Sequence, residues 1–316
     1  NFGLYQFLGG LNKKMTADWL AYGLIDRVYQ SPGMFTSAET LIVFYAYGLQ
    51  IYGDFSGYTD MALGAARLLG FRLTDNFNRP YQSASISEFW RRWHISLGSW
   101  FRDYVYISLG GNRFYIYRNL FITMFLAGLW HGAGLMFIAW GIYHGIFLML
   151  ERVPDAIRKR RRIIESGDGA NQSEAKAESE TRSIADETTG LGLVSSKHEQ
   201  SWLWIRRALT LHLVLIGWVL FRSRDLDQFL GFFHSLFPAD FLSSGQWSIP
   251  NTGWAYILVV LLAYIYHLTP VRLREEGSKV WNRLPLALQV LTTFLLLTGL
   301  FQISVRDVQP FIYFQF

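Results

Sequence analysis

The sequence has no cysteine. That excludes a disulfide framework, a thiolate metal site and a thioester carried on the chain itself, and it leaves the redox compartment unread. Charge is scarce too: 17% of residues are Asp, Glu, Lys or Arg, against about 25% in a typical soluble domain. With eight prolines and no Gly-X-Y period, a collagen-like chain is excluded. No P-loop or dinucleotide-binding glycine motif is present, so nucleotide-driven transport has no support. No HExxH or paired-carboxylate pattern accompanies the histidines, which argues against a bound metal. The start lacks the basic, apolar and small-residue segments of a signal peptide. Because it opens on Asn1 rather than Met, the expectation is that the native N-terminus lies upstream.

What the sequence does have is apolar and aromatic residues: 51% hydrophobic, with Trp 12, Tyr 17 and Phe 25 among 316 residues. That composition excludes a disordered chain. The apolar residues fall in long blocks, several near the roughly 20 residues that a bilayer-crossing helix needs. Residues 284–305 carry no charge, and neither do residues 119–150 if their histidines are neutral. Residues 208–221, 252–268 and 40–53 form shorter blocks. Trp202, Trp204, Trp254 and Tyr266 stand at block ends, where the membrane-water interface favours such rings. A soluble helical protein would rarely have core helices without charge over these lengths. The pattern predicts an all-α, polytopic integral membrane protein.

Formal net charge is +5 and the isoelectric point about 9.3. The cations flank apolar blocks rather than forming a basic face, which fits membrane orientation and anionic lipid, not nucleic acid. Arg158-Lys159-Arg160-Arg161-Arg162 directly follows an apolar block and is a positive-inside signal. A second basic stretch, with Arg272, Arg274, Lys279 and Arg283, follows two blocks later and falls on the same, cytoplasmic side. Between them, residues 154–200 turn polar and poor in aromatics, a composition that predicts a disordered insert. This divides the chain into a membrane core, residues 1–153, the insert, 154–200, and C-terminal membrane helices, 201–316.

Two histidines lie in unusual surroundings. His131 sits inside an uncharged block, in Gly128-Leu129-Trp130-His131-Gly132-Ala133-Gly134. It is about thirteen residues past Arg118, roughly 20 Å along a helix at ~1.5 Å per residue. An ionisable group at membrane depth marks a functional site by default, and imidazole suits acid-base work near neutral pH. The competing reading is a neutral histidine bonded to a neighbouring helix. His94 lies beside two arginines in an amphipathic stretch at helical spacing, Ser87-Glu88-Phe89-Trp90-Arg91-Arg92-Trp93-His94-Ile95, capped by Ser85 or Ser87 and suited to an interfacial or re-entrant position. His212, His234 and His267 read as interface histidines. Asp54 and Asp60 read as structural partners of arginines, and Gly110-Gly111-Asn112-Arg113 as a turn.

Several of these runs together resemble membrane-bound O-acyltransferases of the alginate O-acetylation type. They are Gln50-Ile51-Tyr52-Gly53-Asp54-Phe55-Ser56-Gly57-Tyr58, Asn76-Phe77-Asn78-Arg79-Pro80-Tyr81, Phe89 to Leu97, and Arg102-Asp103-Tyr104-Val105-Tyr106. Gly128-Leu129-Trp130-His131-Gly132-Ala133 is similar to the segment that carries that family's catalytic histidine. Trp140-Gly141, His144-Gly145 and the terminal run from Pro310 also fit. Members of the family usually begin with several further membrane helices, which this chain lacks.

The resemblance implies a helical bundle, with interfacial or re-entrant helices, around a tunnel between the two membrane faces. The implied activity is transfer of an acyl group, acetyl above all, from a cytoplasmic thioester donor (acetyl-coenzyme A or an acyl carrier) to hydroxyls of an extracytoplasmic, alginate-like polysaccharide. Transfer is direct or through a periplasmic acetyl-transferring partner, at a bacterial inner membrane, with no bound cofactor. It assigns His131 as general base and His94 to donor positioning or oxyanion stabilisation. Arg91 and Arg92 become contacts for donor phosphate or carboxylate. The alternative is a non-catalytic channel or scaffold subunit of a polysaccharide-modifying complex.

Overall fold

The computed structural model describes residues 2–167, 197–238, 253–270, 273 and 283–304. Among these, every regular element is helical. α1 (Phe2–Leu20) runs through a wide turn into the short α2 (Asp26–Gln30), and α3 (Ser37–Leu68) returns along α1. Two short helices follow, α4 (Ile86–Arg92) and α5 (Ile95–Phe101). α6 (Ile116–His131) and α7 (Leu135–Gly167) form a hairpin. α8 (Lys197–Arg222), α9 (Leu226–Leu236), α10 (Gly253–Leu268) and α11 (Leu286–Ser304) complete the chain. The terminal run from Pro310, together with Arg272, Arg274 and Lys279, lies outside the described residues.

The α1–α3 seam shows how the sequence brings helices together. Gly3 and Gly10 on α1 face Gly64 and Gly57 on α3, and a Cβ at Gly57 would stand 2.7 Å from the Gly10 carbonyl oxygen. Such backbone-to-backbone approach needs small residues. Ion pairs close the seam: Lys13 with Asp60 at 2.6 Å, and Lys14 with both Asp54 at 2.6 Å and Asp18 at 2.5 Å. The two aspartates are structural partners, as their position suggests, but of lysines from α1 rather than of arginines. The seam starts cleanly because Thr36 and Glu39 cap α3 reciprocally.

Among the described residues, two helices are long and apolar enough to cross a membrane by length and composition, within residues 135–153 and 200–222, and α10 is a shorter apolar helix. The block at 119–150 is one run in sequence but two helices in space, broken at Gly132–Gly134, so α6 alone falls short of a crossing length. Leu258, Leu261 and Ile265 on α10 and Leu291 and Leu295 on α11 are exposed, as are Trp202, Trp204, Trp254 and Tyr266. Contiguous exposed apolar faces of this kind belong against lipid or a partner.

Three local expectations change. α7 continues through Pro154 to Gly167, beyond the boundary drawn at Pro154. Arginine and lysine are good helix formers, and the basic run extends the helix. Residues 168–196 of the insert lie outside the described residues. His267 is buried, not interfacial: its Nε2 accepts from the Tyr81 backbone N–H at 3.3 Å and its ring meets Tyr52 at 4.9 Å. The amphipathic segment is not one helix through Ile95: α4 stops at Arg92, and α5 begins at Ile95 after a turn at His94.

The start of α4, in contrast, is tied to α7. Glu151 accepts the Ser87 N–H at 2.9 Å and also the Ile86 N–H, so a carboxylate from α7 closes the N-terminus of α4. Bonds to charged groups contribute roughly 1.5–3 kcal/mol. Glu151→Ala should therefore lower the detergent melting temperature by the equivalent of about that amount. Glu151→Gln should lose less, and an unchanged melt for Glu151→Ala would remove this tie from the account.

Candidate functional site

The junction between α4 and α5 is held from outside. Ser85 accepts the Glu88 N–H at 3.1 Å and begins α4, and the Trp93 N–H closes it on the Phe89 carbonyl. The chain then turns at His94, whose φ of +45° is left-handed. A side chain with a Cβ rarely adopts that region, and such strain persists only where neighbours enforce it. Here the neighbour is the segment around Asn76. Its carbonyl accepts the Ile95 N–H at 3.0 Å, and its side-chain oxygen accepts the Ser96 N–H at 3.1 Å and the Ser96 hydroxyl at 2.7 Å. The Asn78 N–H donates to the Arg92 carbonyl at 2.9 Å. The Asn76-to-Tyr81 run is thus a clamp on the His94 turn.

His131 arrives from the other direction. It is the last residue of α6, where the helix stops before Gly132. A Cβ on Gly141 of α7 would lie 3.2 Å from the Gly128 Cα, so the two helices meet backbone to backbone one turn before the break. The His131 ring stands edge-on to Trp140 at 5.1 Å and to Phe221 of α8 at 5.1 Å.

These elements enclose a cavity of about 430 Å³ that both His94 and His131 line. Of the two arginines singled out in the sequence, Arg91 lines it. Arg92 does not: it pairs with Glu88 at 2.7 Å and donates to the Asn78 carbonyl at 3.3 Å. Two further cations line the cavity, Arg102 at the end of α5 and Arg152 on α7. Arg102 belongs to a sequence run already noted, while Arg152 stands beside Glu151, the residue that closes α4. Among the described residues no carboxylate lines the cavity, although Arg102 is paired with the adjacent Asp103 through two bonds, at 2.7 and 3.1 Å. That leaves Arg91 and Arg152 as the other charges of the lining. The rest is mostly apolar, with Trp90, Trp93, Met124 and Trp140 among the walls. An apolar pocket with a few convergent polar groups is the usual form of a small-molecule site.

His94 packs edge-on against Phe55 at 4.7 Å, and burial pushes its pKa down to about 4. It is therefore a neutral imidazole near pH 7, able to donate one hydrogen bond and accept another. His144 packs against Trp90 and Trp140 but does not line the cavity. His212 bonds the Tyr45 hydroxyl at 2.9 Å, and His234 is exposed.

The residues of this cavity lie within one stretch of chain. The model of the membrane-bound O-acyltransferase family matches residues 1–171, which contain both histidines and all three cavity arginines. The chain belongs to the membrane-bound O-acyltransferase family. It is 34% identical over 342 residues to a probable alginate O-acetylase AlgI of Pseudomonas putida, covering 99% of this chain and 61% of that protein. It is 42% identical over 154 residues to a peptidoglycan O-acetyltransferase of Helicobacter pylori, covering 48% and 29%. A teichoic acid D-alanyltransferase of Streptococcus thermophilus is 40% identical over 144 residues, covering 42% and 34%. The chain thus spans less than two thirds of the length of these curated relatives.

The left-handed turn gives a test of the clamp. Asparagine tolerates that conformation, whereas a β-branched residue does not, and the penalty is roughly 1–2 kcal/mol. His94→Asn should therefore melt higher than His94→Val in detergent, since both lose the ring but only valine strains the backbone. Equal melting would mean that His94 is not held left-handed.

Proposed function

We propose that this chain is the catalytic core of a membrane O-acyltransferase that moves an acyl group, acetyl above all, from a thioester donor to a hydroxyl of an extracytoplasmic polysaccharide. The observation that carries the reading is the convergence of His131 and His94 on one cavity whose charged lining is Arg91, Arg102 and Arg152. The relatives named for alginate, peptidoglycan and teichoic acid are each named for transfer of an acyl group, acetyl or D-alanyl, to a polymer. That common step supports the reaction class, and the extent of the alginate-type match favours an alginate-like acceptor, reached directly or through a periplasmic partner.

In this reading the membrane core is residues 1–153 and the C-terminal helices are residues 201–316, in a multi-pass arrangement around a tunnel at the bacterial inner membrane. The basic run from Arg158 holds the end of α7 on the cytoplasmic side, as the positive-inside bias requires. The donor, acetyl-coenzyme A or an acyl carrier, enters the histidine cavity with its phosphates against the arginines, which offer planar, bidentate contacts. His131 takes the proton from the acceptor hydroxyl as its oxygen bonds the acyl carbon. His94 donates a hydrogen bond to the developing oxyanion or to the donor carbonyl. The carbon–sulfur bond then breaks and the thiol leaves with the proton. With no cysteine in the chain, direct transfer is the simplest course.

A positioned base contributes about 10²–10⁴-fold. In membranes carrying equal amounts of protein, His131→Ala should therefore lose at least about a hundredfold of radiolabelled acetyl transfer to polymer. His94→Ala should lose activity as well, and His234→Ala should resemble wild type. If His131→Ala keeps more than about a tenth of the activity, too little has been lost for a general base. The channel or scaffold reading then gains.

A further inference from the structure

A second cavity, of about 530 Å³, lies on the far side of the rings that pack against His131. Phe137 and Phe221 line it, with Gly134, Asp26, Arg222 and Gln228, and neither phenylalanine lines the histidine cavity. The same two rings hold His131: Phe221 at 5.1 Å, Phe137 at 6.4 Å, and 5.0 Å from each other. Trp140, which lines the histidine cavity, stands 5.3 Å from Phe221. One layer of aromatic rings therefore separates the two spaces. Gln30, Gly134 and Arg224 at the second cavity are exposed, as are Arg91, Gly98 and Arg102 at the histidine cavity. Both spaces open at the surface, and a donor bound in the histidine cavity leaves the second one as the route for water. The Phe137 ring occupies its place because Gly132 has no side chain: a Cβ there would lie 2.8 Å from two atoms of the ring.

A thioester beside a general base is open to water as well as to an alcohol. With water as nucleophile, His131 takes a proton, the water oxygen bonds the acyl carbon, the carbon–sulfur bond breaks and the thiolate leaves with that proton. The products are free acid and free thiol, and the acyl group is wasted. Excluding water from the reacting centre is one way an enclosed site prevents such side reactions.

The geometry points to Phe137 and Phe221 as a selectivity partition that keeps the water of the second cavity from the donor at His131, and so sets the ratio of acyl transfer to hydrolysis. This rests on the acyl-transfer reading above. The rings are specificity-determining residues: they decide which nucleophile arrives. Widening the partition should speed hydrolysis while transfer falls or stays level, a split that simple loss of folding does not produce.

The test measures free thiol released from radiolabelled acetyl-coenzyme A in membranes without added acceptor, alongside acetyl transferred to polymer with acceptor present. Phe221→Ala should raise acceptor-independent thiol release by about tenfold, well inside the ~10²–10⁴-fold that a positioned base supplies. Phe221→Leu and Phe137→Leu, which keep most of the buried volume, should shift the ratio the same way by less. Adding His131→Ala to each should abolish the rise. The inference is overturned if wild type transfers acetyl in a His131-dependent manner while all three variants release thiol at the wild-type rate. It is overturned equally if the rise survives loss of His131. Failure of wild type to show any His131-dependent thioester cleavage, with acceptor present, would instead remove the acyl-transfer reading and this inference with it.

Discussion

The contact of Gly128 with Gly141 sets where His131 stands, and the cavity it lines depends on that placement. Two helices with ordinary side chains stand 8–10 Å apart. With no Cβ on either residue, α6 and α7 meet backbone to backbone, and the chain can reverse within the few residues after His131. His131 then falls at a helix end beside Trp140, and the packing of α7 on α8 brings Phe221 against the same ring. His94 comes to the shared cavity by a different device, a strained turn clamped by Asn76. Two independent local structures thus deliver the histidines to one place.

Much of this was legible in the sequence because it depends on local chemistry. Uncharged blocks gave helices, Ser85 and Glu88 gave the start of α4, and the Gly110-Gly111 pair gave a turn with positive φ at both residues. Both histidines could be singled out, since each stands next to residues that membrane depth or amphipathic spacing makes unusual. What was not legible depends on contacts far apart in the chain. Arg152 follows a carboxylate near the end of an apolar block, and only the fold shows Glu151 closing α4 while Arg152 lines the cavity. Arg91 and Arg92 look equivalent as neighbours in sequence. The early stop of α4 and the pull of Glu88 and Asn78 on Arg92 separate them. His267 looked interfacial because its burial under Tyr52 and Tyr81 comes from a segment nearly two hundred residues away.

Charge is divided between two tasks. At the α1–α3 seam, Lys13 and Lys14 are matched by Asp60, Asp54 and Asp18 at 2.5–2.6 Å, so those charges are satisfied within the fold. At the histidine cavity, cations line the space and, among the described residues, no carboxylate does; of the three arginines, Arg102 pairs with the adjacent Asp103. Apolar surroundings strengthen the pull of such cations on an anion. The aromatic layer on the opposite side of His131 brings no charge to the reacting centre. Cations on one side, a neutral imidazole at His94 and a ring wall beyond His131 make the site asymmetric.

The central claim is that His94 and His131 act on one bound donor in one cavity. A double-mutant cycle tests it most directly, using acyl transfer in membranes that carry equal amounts of His94→Ala, His131→Ala, the double variant and wild type. Residues that act as a unit on one reaction give grossly non-additive losses. The account predicts that the double variant is scarcely worse than His131→Ala alone. If the two losses multiply, as those of distant and independent residues do, the histidines do not share a reacting centre and the account is contradicted.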